Sequence, residues 1–176
     1  MFRIGQLLGL NVSFERATPD AAAELAALHN AVSEDLTARY GYGHWSSEAS
    51  PRGVLFNLRT GTVIVGRQGR QLVATFRLAT KKPWAIDVKY FAPCTKPIYL
   101  LNMAVAPAWQ RRGVGTRCLG EALALAREWS GDAIRLDAYD APAGAGDFYR
   151  KCGFRETGRV TYRKVPLIYF ERLPPF

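Results

Sequence analysis

The residues best suited to chemistry lie in the stretch APAWQRRGVGTR, residues 106–117, where two adjacent arginines precede two glycines separated by one residue. An apolar run comes before this stretch and a helical pattern follows it. The first amides of a helix have no acceptor within the helix and carry partial positive charge, so they attract anions. Arg111 and Arg112 add charge-assisted hydrogen bonds, and the glycines allow close approach. The stretch indicates a phosphate-binding loop, although the glycines alone would also suit a plain turn.

Two common phosphate-binding templates fit this stretch poorly. A Walker loop requires lysine followed by serine or threonine after the second glycine, where this chain has Thr116 and Arg117. A dinucleotide fingerprint requires a third glycine, and Cys118 occupies that position. Asp137 lies roughly where a ribose-binding acid would follow, so a dinucleotide-dependent oxidoreductase stays open as an alternative.

A third pattern fits: QRRGVG, residues 110–115, matches the Q/R-x-x-G-x-G/A signature of the GNAT family of N-acetyltransferases. The segments IRLDAYD, AGDFYRKCGF and PLIYFERL are similar to later segments of the same family. The motif resemblance covers residues 98 to 154. It implies an α/β (α+β) fold of the GNAT type, with a mixed, mostly antiparallel central sheet, two splayed parallel strands and flanking helices. We expect one acetyltransferase domain over residues 1–176, with its core in residues 11–173.

The resemblance also implies where acetyl-CoA, the acetyl donor, would lie. Its pantetheine arm would occupy a wedge between strands at residues 98–105 and 133–140 and would pair with backbone as an added strand does. Its pyrophosphate would contact backbone amides and basic side chains of the loop. The candidate acetyl-CoA-binding residues are Met103, Ala104, Val105, Gln110, Arg111, Arg112, Gly113, Val114, Gly115, Thr116 and Phe148. No metal is expected.

Acyl transfer to an amine requires an oxyanion donor, a base for the ammonium proton and an acid for the departing thiolate. By resemblance, a backbone N–H near Val105 is the oxyanion donor and Tyr149 is the general acid. A phenol is protonated at neutral pH and can donate, although packing under CoA is the alternative role. Asn102 stands near the position where many relatives carry a glutamate base, and it could position a water molecule instead. The other candidate bases are His44, Asp87 and Asp140.

The elements that must hold these residues follow from periodicity and turn chemistry. Thr18 and Pro19 predict the start of a first helix, as cap and first helical residue. The apolar run at residues 98–105 predicts a central strand buried on both faces. The predicted order is a strand at 11–18, the first helix, a short second helix, a hairpin of 62–67 and 71–80, the central strand, a helix from Val114, a strand at 133–140, a short helix ending at Gly153, and one or two final strands.

Composition limits the class of protein. The chain has 176 residues and a formal net charge of +9, which favours an anionic partner such as a phosphate-bearing ligand, an acidic substrate or nucleic acid; solubility is the plain alternative. Three cysteines without paired spacing are typical of a reducing compartment. The first 14 residues lack a cleavage pattern, so we expect no signal peptide, no membrane span and a cytoplasmic location.

These features predict an enzyme that transfers an acetyl group from acetyl-CoA to a primary amine of a small molecule or peptide, by direct attack in a ternary complex. Few acids near the expected acceptor loops argue against polycationic acceptors. Many aromatic residues there favour an aromatic-lined pocket: Tyr40, Tyr42, His44 beside Trp45, Trp84, Tyr90, Phe91, Tyr162 and Tyr169. The alternatives are a tRNA- or protein-directed acetyltransferase and a non-catalytic acyl-CoA sensor. A homodimer is an expectation by analogy.

Overall fold

The computed structural model describes residues 11–176, in which seven strands form one sheet. The strands are β1 (Val12–Arg16), β2 (Thr62–Gln68), β3 (Gln71–Ala79), β4 (Pro97–Val105), β5 (Ala133–Tyr139), β6 (Arg155–Tyr162) and β7 (Val165–Arg172). The α-helices are α1 (Ala22–Tyr40), α2 (Pro51–Thr60), α3 (Val114–Glu128) and α4 (Gly146–Lys151). Single turns of 3₁₀-helix lie at Pro19–Ala21, Val88–Tyr90 and Pro107–Trp109.

The sheet has the order β1-β2-β3-β4-β5-β7-β6. Only β4 and β5 pair in parallel within the described residues, and the other neighbouring strands are antiparallel. Helix α3 connects the two parallel strands, because a parallel pair requires a crossover that is long enough to return the chain. The mixed, mostly antiparallel sheet predicted from the sequence is therefore confirmed.

One face of the sheet packs against α3. Val114, Cys118, Ala122 and Ala126 repeat at helical spacing and are all buried. They share a cluster with alternate residues of the strands beneath, including Ile134, Leu136, Phe76 and Leu78. Burying an aliphatic side chain of this size contributes roughly 1.5–3 kcal/mol, so this face supplies much of the driving force for folding.

The opposite face packs against α1 and α2. Leu25 and Leu28 of α1 and Val54 of α2 form a second buried cluster with Val63 and Val65 of β2. Alternate residues of β2 therefore serve the two faces, since successive side chains of a strand point in opposite directions. Ser50 caps α2, where its hydroxyl accepts a hydrogen bond from the amide of Gly53 at 3.2 Å.

The start of α1 differs from the prediction. Thr18 makes no side-chain cap hydrogen bond, and Pro19 opens a turn of 3₁₀-helix that leads into α1 at Ala22. The fixed φ of proline suits a first helical turn of either kind, which explains why the sequence did not distinguish them. Most of the segment analysed for a signal peptide lies outside the described residues. None of the helices in residues 11–176 is both long and apolar enough to span a membrane.

Candidate active site

The two parallel strands diverge and open a cavity between them. Backbone pairing joins residues 97–99 of β4 to residues 133–135 of β5. Beyond that point β4 contains a bulge against β3, where Asn102 adopts a φ of 50°. A bulge bends its strand and increases the local twist. Residues 100–104 and 137–139 line the resulting cavity, which has a volume of about 730 Å³.

The N-terminus of α3 presents backbone amides beside Met103, which lines the cavity. Gly113 precedes the helix with a φ of 82°, in the left-handed region that favours glycine. The first helical hydrogen bond runs from the amide of Arg117 to the carbonyl of Gly113 at 3.1 Å. The amides of residues 114–116 therefore have no acceptor within the helix. Arg111 and Arg112 are exposed beside them, so the local charge suits an anion.

The hydrogen-bond donors of Gln110 are used within the protein. Its amide donates to the carbonyl of Pro107 at 3.3 Å, and its side-chain Nε2 donates to the carbonyl of Val105 at 3.0 Å. Both groups are thus used inside the protein, where they fasten the loop to the end of β4. The donors that remain for an anion are those of Arg111 to Thr116.

Met103 and Phe148 connect the helix start to Tyr149. A Cβ atom added to Gly115 would lie 3.1 Å from Phe148 Cζ and 3.6 Å from Met103 Cε. The Tyr149 hydroxyl donates to Met103 Sδ at 3.9 Å, and the rings of Phe148 and Tyr149 lie 5.3 Å apart. The predicted acetyl-CoA residues of β4, α3 and α4 are therefore brought together around one wedge, with Ala104 buried and Val105 half-buried at its edge.

Tyr149 is 8% exposed and sits against three phenylalanine rings. The rings of Phe154 and Phe170 lie 5.7 and 5.8 Å from its ring, in addition to that of Phe148. Burial raises the pKa of the phenol well above its usual value, and the charge of Asp137 adds to this effect. The hydroxyl is therefore protonated at neutral pH, so the packing and donor roles considered for Tyr149 are compatible.

The four candidates for the base have different surroundings. Asn102 is exposed and lines the cavity. His44 lies outside the cavity lining, and its carbonyl accepts a hydrogen bond from the Tyr139 hydroxyl at 3.1 Å. Asp87 caps the turn Val88–Tyr90, and Asp140 accepts hydrogen bonds from Arg159. Of the four, the structure brings only Asn102 to the cavity.

Three titratable residues of the cavity were not singled out as part of this site from the sequence. Two of them are His29 of α1 and Asp137 of β5, and a third is Tyr139; Glu48 of the loop before α2, one of the few acids expected near the acceptor loops, also lines the cavity. Burial lowers the pKa of His29 and raises that of Asp137, because desolvation disfavours the charged form of each group. The alternation of β5 could have predicted the position of Asp137. The residues on either side of it, 136 and 138, pack in the core beneath α3, so Asp137 points to the opposite face of the sheet.

The aromatic residues expected to line one acceptor pocket are distributed differently. Trp45 lines the cavity, and its ring lies 6.2 Å from that of Tyr139. A second cavity of about 670 Å³ lies between the connection before β4 and the β6–β7 hairpin. Its aromatic residues are Trp84, Tyr90, Tyr162 and Tyr169. Tyr40 and Tyr42 are exposed and Phe91 is buried, so the prediction of one aromatic pocket is wrong.

A comparison with characterised proteins finds a partial match in sequence. Among characterised proteins, the aminoglycoside N(6')-acetyltransferase type 1 of Stenotrophomonas maltophilia is 35% identical over 69 residues, which are 39% of this chain and 45% of that enzyme. The match therefore spans less than half of that relative's length.

No group of three or more His, Cys, Asp and Glu residues with metal-binding geometry occurs within residues 11–176.

Solved structures share the fold. Ard1 of Thermoplasma volcanium has a TM-score of 0.69 at 17% identity, over 92% of this chain and 97% of that one. The Salmonella typhimurium protein yncA, solved with its cofactor acetyl-CoA, has a TM-score of 0.66 at 14% identity, over 92% and 93% of the two chains. The model of the acetyltransferase (GNAT) family matches residues 25–154, most of the chain. The chain therefore belongs to the acetyltransferase (GNAT) family of enzymes.

Proposed function

We propose that the protein transfers the acetyl group of acetyl-CoA to a primary amine of a small molecule or peptide, by direct attack within a ternary complex. The observation that carries this proposal is the wedge between β4 and β5, with the amide-rich start of α3 at one side and Tyr149 at the other. Membership of the acetyltransferase (GNAT) family supports it. One domain containing both substrate sites is sufficient for this reaction.

The residues around the wedge fit a thioester ligand with a diphosphate. The edge of β4 at Met103 to Val105 lies beyond the residues that pair with β5, so it suits backbone pairing with an extended amide chain. The amides of Val114, Gly115 and Thr116, with Arg111 and Arg112, suit the diphosphate. A side chain at Gly115 would press on the Phe148 ring, so glycine allows α3 and Phe148 to lie close together here.

Acetyl-CoA supplies a thioester carbonyl and a thiolate leaving group. Tyr149 donates its proton to the sulfur as the carbon–sulfur bond breaks, since burial keeps the phenol protonated at neutral pH. A backbone N–H near Val105 serves as the oxyanion donor. Asn102 orients the incoming nitrogen or a water beside it, because its amide can both donate and accept hydrogen bonds.

Release of free thiol, followed with purified protein, acetyl-CoA and a panel of amines, peptides and tRNA, tests this function. We expect acetyl-CoA-dependent release that requires an amine, with mass spectrometry showing the acetylated product. A second titration measures acetyl-CoA binding by calorimetry. Binding without turnover on any acceptor would identify an acyl-CoA sensor, and turnover restricted to tRNA or protein would identify the macromolecule-directed alternative.

A further inference from the structure

Asp137 carries a carboxylate that no lysine or arginine among the described residues, 11–176, neutralises. Two residues earlier on the same face of β5, Arg135 pairs with Glu171 of β7 at 2.9 Å, and the two residues are 3% and 1% exposed. The register places Tyr169 opposite Asp137, and the Tyr169 hydroxyl donates to the carbonyl of Ala85. Within residues 11–176, Asp137 forms no ion pair with lysine or arginine.

An ionised carboxylate that is partly removed from water requires a compensating charge or hydrogen bonds. Asp137 is half-buried, and burial raises its pKa. The same sheet face shows that this chain supplies an arginine where a buried carboxylate is purely structural, as at Glu171. A cation that entered through the cavity lined by Asp137 would supply this compensation.

The charge of the cavity is opposite in sign to that of the whole protein. The chain carries a net charge of +9, yet no lysine or arginine is among the described residues that line the cavity. Asp137 and Glu48 bring two carboxylates to it from different elements, and burial favours the neutral form of His29. The rest of the lining combines hydroxyl and amide groups with apolar side chains such as Trp45 and Phe56, so the two carboxylates are the groups that favour an ammonium there.

We infer that this cavity binds a polar acceptor with at least two ammonium groups, one held and deprotonated by Asp137 and another held near Glu48. The inference deepens the proposed function and rests on it. It replaces the expectation, drawn from the scarcity of acids in the surrounding loops, that polycationic acceptors are disfavoured. That expectation considered acids in the loops only, whereas Asp137 lies on strand β5.

The proton and bond changes balance with the residues present. The reacting ammonium gives one proton to Asp137, which later releases it to solvent. The neutral nitrogen forms a bond to the thioester carbonyl carbon, and the carbon–sulfur bond breaks. The sulfur takes a proton from Tyr149, and the second proton lost by nitrogen restores that phenol through solvent. The products are the amide, free CoA thiol and one proton.

The pH dependence follows from the titratable groups that line the cavity with Asp137 or interact with its charge. These are His29 of α1, Glu48 of the loop before α2, Tyr139 of β5, Tyr149 of α4 and Tyr169 of β7. The tyrosines are neutral at neutral pH, and burial keeps His29 neutral there as well. Asp137 must be ionised to accept a proton, so we expect kcat/KM to fall on the acid side as Asp137 becomes protonated. The Asp137→Asn variant should not show this fall in kcat/KM at acid pH.

The test compares Asp137→Asn and Glu48→Gln with Asp20→Asn, an exposed acid outside the cavity lining. Acetylation is measured with spermidine, with kanamycin and with tryptamine, which carries one charge on an apolar body. We expect spermidine or kanamycin to exceed tryptamine by at least about tenfold in kcat/KM in the parent. Asp137→Asn should lower kcat/KM for the preferred polycation by about 100-fold or more, which is the usual size of a general-base effect.

Acetyl-CoA binding separates failure of this inference from failure of the proposed function. Asp137→Asn should keep the acetyl-CoA Kd of the parent, Glu48→Gln should raise KM for the polycation more than KM for tryptamine, and Asp20→Asn should keep the parent values for both amines. Tryptamine as the best acceptor, or unchanged kcat/KM in Asp137→Asn, would overturn the inference while the acetyltransferase function stands. If no amine is acetylated, the proposed function is wrong. Calorimetry then measures whether spermidine or kanamycin binds the parent protein and fails to bind Asp137→Asn. If neither compound shows this difference, the inference is wrong as well.

Discussion

At the scale of one residue, burial keeps the phenol of Tyr149 protonated at neutral pH. Its hydroxyl contacts Met103 Sδ at 3.9 Å, a weak interaction that contributes little to folding. We expect Tyr149→Phe to lower kcat by about 10²–10⁴-fold, the range of a general-acid contribution, and to leave the acetyl-CoA Kd nearly unchanged. Thiol release and calorimetry measure the two quantities. If the variant turns over as fast as the parent, Tyr149 serves only for packing.

Asp137 gives a prediction about stability at the same scale. Its pKa is higher in the folded than in the unfolded protein, so the stability associated with this residue is full below the unfolded-state pKa and is lost as pH rises through the folded pKa. We therefore expect Asp137→Asn to raise the free energy of unfolding at neutral pH. The gain should vanish below a pH of about 3.9, the ordinary aspartate value. Urea denaturation at both pH values measures it, and a lower stability at neutral pH would show that Asp137 has a structural partner.

At the scale of elements, the start of α3 depends on one backbone conformation. Gly113 has a φ of 82°, and a side chain in the left-handed region costs about 1–2 kcal/mol. We expect Gly113→Ala to lower the free energy of unfolding by this amount and to raise the acetyl-CoA Kd, because the helix amides would be displaced.

Gly120 supplies the matched control within the same helix. It is exposed in the middle of α3, and an added Cβ would meet no atom within 4 Å. Gly120→Ala should raise stability by about 0.5–1 kcal/mol, since alanine favours a helix, and it should leave acetyl-CoA binding unchanged. Denaturation and calorimetry are applied to both variants. A common change in Kd for the two would contradict a specific role for the turn at Gly113.

At the scale of the whole molecule, the pair of Arg135 and Glu171 connects the sheet to the long connection before β4. Glu171 accepts from the amide of Ala92 at 3.3 Å, and Arg135 donates to the Ala92 carbonyl. Removing one partner would leave a buried charge, so we expect Arg135→Met or Glu171→Leu alone to lower the free energy of unfolding by about 3–5 kcal/mol. The double variant should recover most of this loss. Equal and additive losses in a double-mutant cycle would show that the two charges act independently.

Much of the fold could be predicted from the sequence because its signals are local. Three signals depend on neighbours a few residues apart. They are the helical spacing from Val114 to Ala126, the apolar run of β4, and the turn at Gly69 between β2 and β3. The motif around Gly113 indicated an anion-binding helix start for the same reason. Thr18 was wrong as a cap because the choice between a 3₁₀ and an α turn depends on packing beyond the local segment.

The sequence by itself determined the βαβ unit, the glycine turn at the start of α3 and the placement of Tyr149 on a short helix after β5. Only the tertiary structure decided which acids line the cavity: Asp137 and Glu48 do so, whereas Asp87 caps a turn and Asp140 forms an ion pair. Spacing along the chain sets local hydrogen bonds and amphipathic faces. The divergence of β4 from β5, and hence the meeting of residues far apart in sequence, follows from how the bulge at Asn102 bends one strand within a packed sheet.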